Sequence, residues 1–210
     1  MLTIIDYGIG NLRSIEKAFQ AVGVDVLRTD DVRRIAEADK LVLPGVGAFG
    51  ACADEVRRRH LEAPIRDAVD RGVPLLGVCV GMQLLFDESE ELGRHKGLGI
   101  LPGRIVRFEN ALVSAGDAAP EPLKVPHMGW NTLAFKQPSP LVEGLPPEAF
   151  VYFVHSYHAA PDDPGDVLAT TPYGVDFPAI VGRNNVFGVQ FHPEKSQQNG
   201  LRILKNFALL

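Results

Sequence analysis

The chain has 210 residues, of which 46% are hydrophobic and 22% charged, and a formal net charge of −5. That length can bury a sizeable core, and the acidic balance gives no electrostatic case for binding nucleic acid or an anionic membrane surface. Its two cysteines, Cys52 and Cys79, cannot build a disulfide framework, which favours a reducing compartment.

The start, MLTIIDYGIG, lacks the basic residues and long apolar core of a secretory signal. Leu2–Ile5 is a short apolar run before a glycine-containing turn, the pattern of a buried strand. Ile15, Ala18, Phe19 and Val22 fall on one helical face, with Gly23 as the stop. Val24–Leu27 predicts a second strand, and Lys40–Leu43 a third ending at Pro44. Arg57, Arg58 and Arg59 read as the solvated face of a helix. Ile65, Ala68 and Val69 mark another helix, with Pro64 near its start and Gly72 past its end. Val73–Val78 predicts the next strand. The longest apolar run, Val73–Phe86, is too short, and too polar at Gln83, to cross a bilayer. A cytoplasmic protein is expected.

Strands alternating with helices imply the α/β class, with an open, mainly parallel central sheet flanked by helices. From about Gly103 to Gln190 the signals become strand-like, so additional antiparallel strands are expected in the second half. Phe177–Arg183 and Val186–Gln190 flank Asn184-Asn185 as a hairpin. Glu109–Pro122, polar and alanine-rich, is expected to be a loop, and Ile203, Phe207 and Leu210 suggest a terminal helix. With no repeat and no convincing linker, residues 1–210 are expected to form a single domain.

Chemistry is suggested first by GVCVG, in which Cys79 follows a strand and opens a helix between Gly77 and Gly81. One reading is a small buried hydrophobe. The other is a nucleophile on a sharp strand-to-helix elbow, near free N–H groups and a helix N-terminus that favour the thiolate. A nucleophile needs a base. His60 and His95 lie in charged, exposed-looking segments, and His127, His155 and His158 in the strand-rich half. His192 sits in VFGVQFHPEKS, where a strand ends and a rigid His-Pro-Glu turn holds Glu194 against one imidazole nitrogen. Taken alone, this turn reads rather as a surface feature leading into a helix.

Together, GVCVGMQLLF and GVQFHPEKS resemble the class I (triad-type) glutamine amidotransferases. The resemblance implies Cys79 as nucleophile, His192 as base and Glu194 as its orienting partner. The segments IIDYGIGNLRS, LPGVGAFG, KVPHMGWN and FVHSYH resemble, within that class, the glutaminase subunits of imidazole glycerol phosphate synthases. The similarity covers nearly the whole chain; Val80 stands where leucine is more usual. It implies an oxyanion site built from Gly45, Val46, Gly47 and Val80, and glutamine contacts from Gln83, Glu91, Ser156 and Tyr157. It also implies a heterodimer with a (β/α)₈-barrel cyclase, docked through Asn11, Leu12, His127, Met128, Trp130 and Asn131 near an ammonia passage.

No cofactor is expected: DYGIGN fails as a dinucleotide fingerprint because Arg13 occupies the third glycine position, and no phosphate-cradling loop occurs. No metal is expected either, since neither His155 with His158 nor His192 with Glu194 has a third ligand at suitable spacing. The competing readings are a glutaminase feeding anthranilate, purine or pyridoxal-phosphate synthesis, a stand-alone cysteine hydrolase, and a silent regulatory subunit.

Overall fold

The fold is described from a computed structural model over residues 1–109, 112–113 and 121–210. Its first half is a run of parallel strands and helices. These are β1 (Leu2–Ile5), α1 (Leu12–Ala21), β2 (Val26–Thr29), α2 (Val32–Ala36), β3 (Lys40–Gly45), α3 (Phe49–Arg58), α4 (Glu62–Asp70), β4 (Leu75–Cys79) and α5 (Val80–Gln83). Both β1 and β4 are buried along their whole length, which is why they read as unbroken apolar runs rather than as alternation.

The second strand starts two residues later than expected. Gly23 takes a positive φ of 79° to end α1, and β2 is a half-exposed edge strand that tolerates Arg28 and Thr29. The third runs past Leu43 through Pro44 to Gly45. Pairing with β1 ends at Val42, so Pro44 is paired on the β4 side alone, the edge-like setting in which a proline is tolerated. The short α2 has too few residues for a periodic signal; the Asp31 carboxylate starts it by accepting from the Arg33 and Arg34 N–H groups.

The second half supplies β5 (Glu88–Ser89), β6 (His95–Lys96), β7 (Gly103–Arg107), β8 (Leu112–Val113), β9 (Glu121–Pro122), β10 (His127–Thr132), β11 (Ala134–Phe135) and β12 (Phe150–His155). It continues with β13 (Tyr157–Pro161), β14 (Val167–Tyr173), β15 (Val175–Arg183), β16 (Val186–Val189) and α6 (Gln197–Leu209). The expected loop over Glu109–Pro122 lies mostly outside the described residues; at its ends β8 pairs antiparallel with β9.

The eight-stranded sheet runs β11-β14-β15-β16-β4-β3-β1-β2. Its members from β16 to β2 are parallel, and β15, β14 and β11 extend it antiparallel. The expected hairpin joins β15 to β16, with Asn184 at φ 54°. A four-stranded sheet, β13-β7-β5-β6, and the antiparallel pair β10·β12 complete the second half. One pairing matters most for chemistry: β16 lies parallel to β4 with Val189 opposite Val78. The chain just beyond each strand therefore emerges at the same sheet edge, the usual place for a site in an open α/β sheet.

At the C-terminus, α6 buries Gly200, Ile203, Leu204 and Phe207, while Leu210 lies past the last turn and is exposed. No helix among the described residues is long and apolar enough to cross a membrane.

Candidate active site

Between β4 and α5 the backbone of Cys79 adopts φ 55° and ψ −115°, a conformation that L-residues avoid. Close packing holds it there. A Cβ on Gly77 would lie 2.6 Å from the Gly81 carbonyl oxygen, and one on Gly45 would lie 2.7 Å from the Gly81 nitrogen. The flanking glycines are thus required by backbone approach, and the sharp bend turns the thiol away from the sheet.

The helix expected to open after Cys79 is short: α5 is a single turn. The carbonyls of Leu84, Leu85 and Phe86 are taken instead by N–H groups of Leu98, Ile100, Leu101 and Gly99, so the ladder cannot continue. One turn carries little dipole, which weakens the helix-dipole support for the thiolate expected from the sequence.

His192 opens a 3₁₀ turn at Pro193–Lys195, and its N–H donates to the Tyr152 carbonyl at 2.9 Å. The Glu194 Oε1 atom lies 3.0 Å from His192 Nδ1 and accepts from Asn11 Nδ2 at 3.1 Å. Nδ1 is thereby committed to the carboxylate, and Nε2 is left for the sulfur. Burial alone would push the imidazolium of His192 down. Hydrogen bonding to Cys79 and Glu194, and their negative charge, outweigh it and raise the pKa to about 10. Burial works in the opposite sense on Glu194, but the hydrogen bond and charge of His192, with Asn11, hold its carboxyl below the ordinary value.

Cys79 and His192 line one cavity of about 440 Å³, together with Val46, Gly47, Val80, Gln83, Glu91, Ser156 and Tyr157. That volume lies within the range of small-molecule sites. Gln83 donates both Nε2 hydrogens to protein, to the Tyr157 carbonyl at 3.0 Å and to Gln190 Oε1 at 3.1 Å, which leaves its own Oε1 as an acceptor. Glu91 Oε2 accepts from the Phe49 N–H at 2.7 Å, beside Gly47. Pro126, Val154, His155 and Lys195 also line the cavity; of these only His155 was weighed from sequence, as a base or metal ligand and not as a wall of the pocket. Lys195 directly follows Glu194, an adjacency that was there to be used.

Other expected residues fall elsewhere. Gly45 does not line the cavity; it lies beneath, packed against Gly81. Asn11, expected on a docking surface, turns inward to Glu194, and Leu12 is partly buried against the core. The KVPHMGWN strand splits by the two-residue period of β10. Met128 and Trp130 are exposed, 63% and 46%, whereas His127 is buried and Asn131 bonds inward toward it. His95 is half-buried and packs against Gly50, unlike exposed His60. Cys52 fits the bland reading of a free cysteine: it is fully buried, burial raises its pKa, and its thiol donates to the Val46 carbonyl at 3.4 Å.

Burial also depresses three histidines: His127 to about 4, His155 to about 3, and His158 downward. The folded chain therefore binds fewer protons than the unfolded chain between pH 6.5 and about 4. Stability should fall through that window as pH drops, by roughly 1 kcal/mol per pH unit for each imidazole. His192 does not add to this acid loss, because its raised value leaves its contribution intact below 6.5. Urea midpoints measured across the window check this, and a His127→Phe variant should show a shallower decline.

Comparison with known proteins gives the family. The family model "Glutamine amidotransferase class-I" matches residues 3–210. The chain belongs to the class-I glutamine amidotransferase family. Among curated relatives of this family, a protein of Salinibacter ruber named imidazole glycerol phosphate synthase subunit HisH is 62% identical, covering 100% of this chain and 94% of that one. One of the same name from Syntrophotalea carbinolica is 55% identical over 99% and 98%. A solved structure described as a glutamine amidotransferase superposes with a TM-score of 0.74 at 22% identity, covering 100% and 99% of the two chains. That likeness shows the fold.

Proposed function

We propose that this chain is the glutamine-hydrolysing subunit of an imidazole glycerol phosphate synthase, a single glutaminase domain delivering ammonia to a cyclase in histidine biosynthesis. One observation carries the chemistry: Cys79, in its strained elbow, shares a cavity with a His192 whose Nδ1 is held by Glu194 at 3.0 Å. The names of the relatives support the pathway.

In this reading the Cys79 sulfur attacks the side-chain carboxamide carbon of glutamine, and the N–H groups of Val80 and the Val46–Gly47 segment receive the oxyanion. Losing one such donor raises the barrier by about 3 kcal/mol. His192 Nε2 gives its proton to the departing nitrogen, and ammonia leaves a glutamyl thioester. His192 then takes a proton from water as the water attacks the thioester carbon. Collapse of that adduct releases glutamate and returns the sulfur. Glu194 keeps the imidazole oriented and its cation stabilised throughout. Gln83 Oε1 and the Glu91 carboxylate supply acceptors for the substrate N–H groups, with Ser156 and Tyr157 forming the opposite wall.

Ammonia at neutral pH is mostly ammonium, a poor nucleophile, so direct transfer to a partner matters. Met128, Trp130 and Phe150 are exposed on the β10·β12 pair and form the proposed docking face for a (β/α)₈-barrel cyclase. We place the heterodimer in the cytoplasm. Trp130→Ala should weaken the partner by about 10- to 100-fold in Kd while leaving thermal stability unchanged, as titration calorimetry reads. The function itself is tested by mixing the chain with such a cyclase and its nucleotide substrate. Partner-stimulated release of glutamate, with the nitrogen appearing in the imidazole product, supports it. Peptide cleavage, or glutamate release indifferent to the partner, refutes it.

A further inference from the structure

His155 and Tyr157, which line the cavity with Cys79, are tied into a chain of hydrogen bonds whose direction is fixed at both ends. At the inner end, His155 Nδ1 lies 2.9 Å from the Tyr157 carbonyl oxygen, which only accepts, so this nitrogen carries the proton. His155 Nε2 is then an acceptor, and His127 Nδ1, 3.1 Å away, must donate to it. That leaves His127 Nε2 as an acceptor for Asn131 Nδ2 at 3.3 Å. At the outer end the Asn131 amide is oriented independently: its Nδ2 donates to the Pro172 carbonyl at 2.9 Å, and its Oδ1 accepts from the Thr132 N–H at 2.8 Å. Both ends therefore demand the same polarity, from Asn131 through two neutral imidazoles to Tyr157.

The Tyr157 carbonyl is also where Gln83 is anchored, at 3.0 Å. It receives two donors, His155 Nδ1 and Gln83 Nε2, from two residues that both line the cavity. If the His155 tautomer reversed, a lone pair would face that oxygen and push it out of place. We propose that His127 and His155 are positioning residues for the substrate pocket: as a tautomer-locked relay they fix the Tyr157 carbonyl and, through it, the side-chain amide of Gln83. Aromatic packing holds the relay in register. The His127 ring stacks on Tyr173 at 4.0 Å and on Phe153 at 4.8 Å, and both imidazoles are buried. Burial keeps both rings neutral at physiological pH, which the relay requires, since a second proton on His155 would set N–H against N–H.

The kinetic arm of the test rests on the glutaminase reading; the spectroscopic arm does not. In the unaltered protein, imidazole ¹⁵N spectra should show His127 and His155 as Nδ1–H tautomers that do not titrate between about pH 5.5 and 8.5. His127→Phe keeps the ring stack but removes the donor. It should raise the glutamine KM about tenfold with a smaller change in kcat, and His127→Asn, which restores a donor near the Nδ1 position, should recover most of the loss. An Nε2–H tautomer at either ring overturns the proposal, whether or not the variant folds. So does a His127→Phe protein with lowered stability and an unaltered KM, the signature of packing alone. Absence of glutamate release from the unaltered protein and its partner counts against the function instead, and the tautomers still decide the relay.

Discussion

Cys79→Ala lowers glutamate release by at least about 10⁴-fold, because no other group in the cavity replaces the sulfur as the atom that bonds the carboxamide carbon. His192 and the N–H groups remain, but polarising an amide without a nucleophile does not break it. The variant should fold. Cys79 is almost fully buried, and alanine removes a single atom at a position whose backbone is already held by its neighbours. Glutamine should still bind, which calorimetry measures separately from turnover. Activity within tenfold of the unaltered protein would remove Cys79 from the mechanism.

Gly81→Ala should be the most damaging single methyl group in the elbow. Its Cβ would fall 1.8 Å from the Leu43 carbonyl oxygen and 2.8 Å from the carbon of the same group. Both are backbone atoms of β3, a strand buried in the sheet and paired to β4, so neither yields. The turn carrying Cys79 would have to lift off the sheet. A cost of about 4 kcal/mol or more is expected, a large share of the roughly 5–15 kcal/mol that holds a domain folded. Gly72→Ala is the control: Gly72 has a positive φ, which Gly81 lacks, but a Cβ there meets nothing within 4 Å. It should cost about 1 kcal/mol. Urea denaturation of both variants checks the contrast, and equal midpoints would show that the elbow tolerates displacement.

The buried parallel strands were legible because a strand covered on both faces needs an apolar run, and Leu2–Ile5 and Leu75–Cys79 supply one. The terminal helix and the Asn184-Asn185 hairpin were legible from periodicity and turn chemistry. What escaped was set by distant parts of the chain. The helix after Cys79 stops at one turn because residues 98–101 take its carbonyls, and nothing between Gly81 and Phe86 announces that. Asn11 meets Glu194 across the fold, so its inward turn has no local signal. The sides of KVPHMGWN were available: a period of two separates Met128 and Trp130 from His127 and Asn131 once the segment is taken as a strand. The proximity of Cys79 and His192 comes from β16 lying beside β4, a pairing that local patterns do not encode; only the family resemblance pointed to it.

The account turns on the sulfur of Cys79 forming a bond to glutamine while His192 moves the protons. Acid-quenching the complex during steady turnover of isotopically labelled glutamine, then mapping the peptides by mass spectrometry, tests it directly. The predicted result is a labelled glutamyl group on the Cys79 peptide, none on Cys52, and none anywhere in Cys79→Ala. Sustained release of glutamate with Cys79 unmodified at every quench time, or the label carried by another residue, would contradict it.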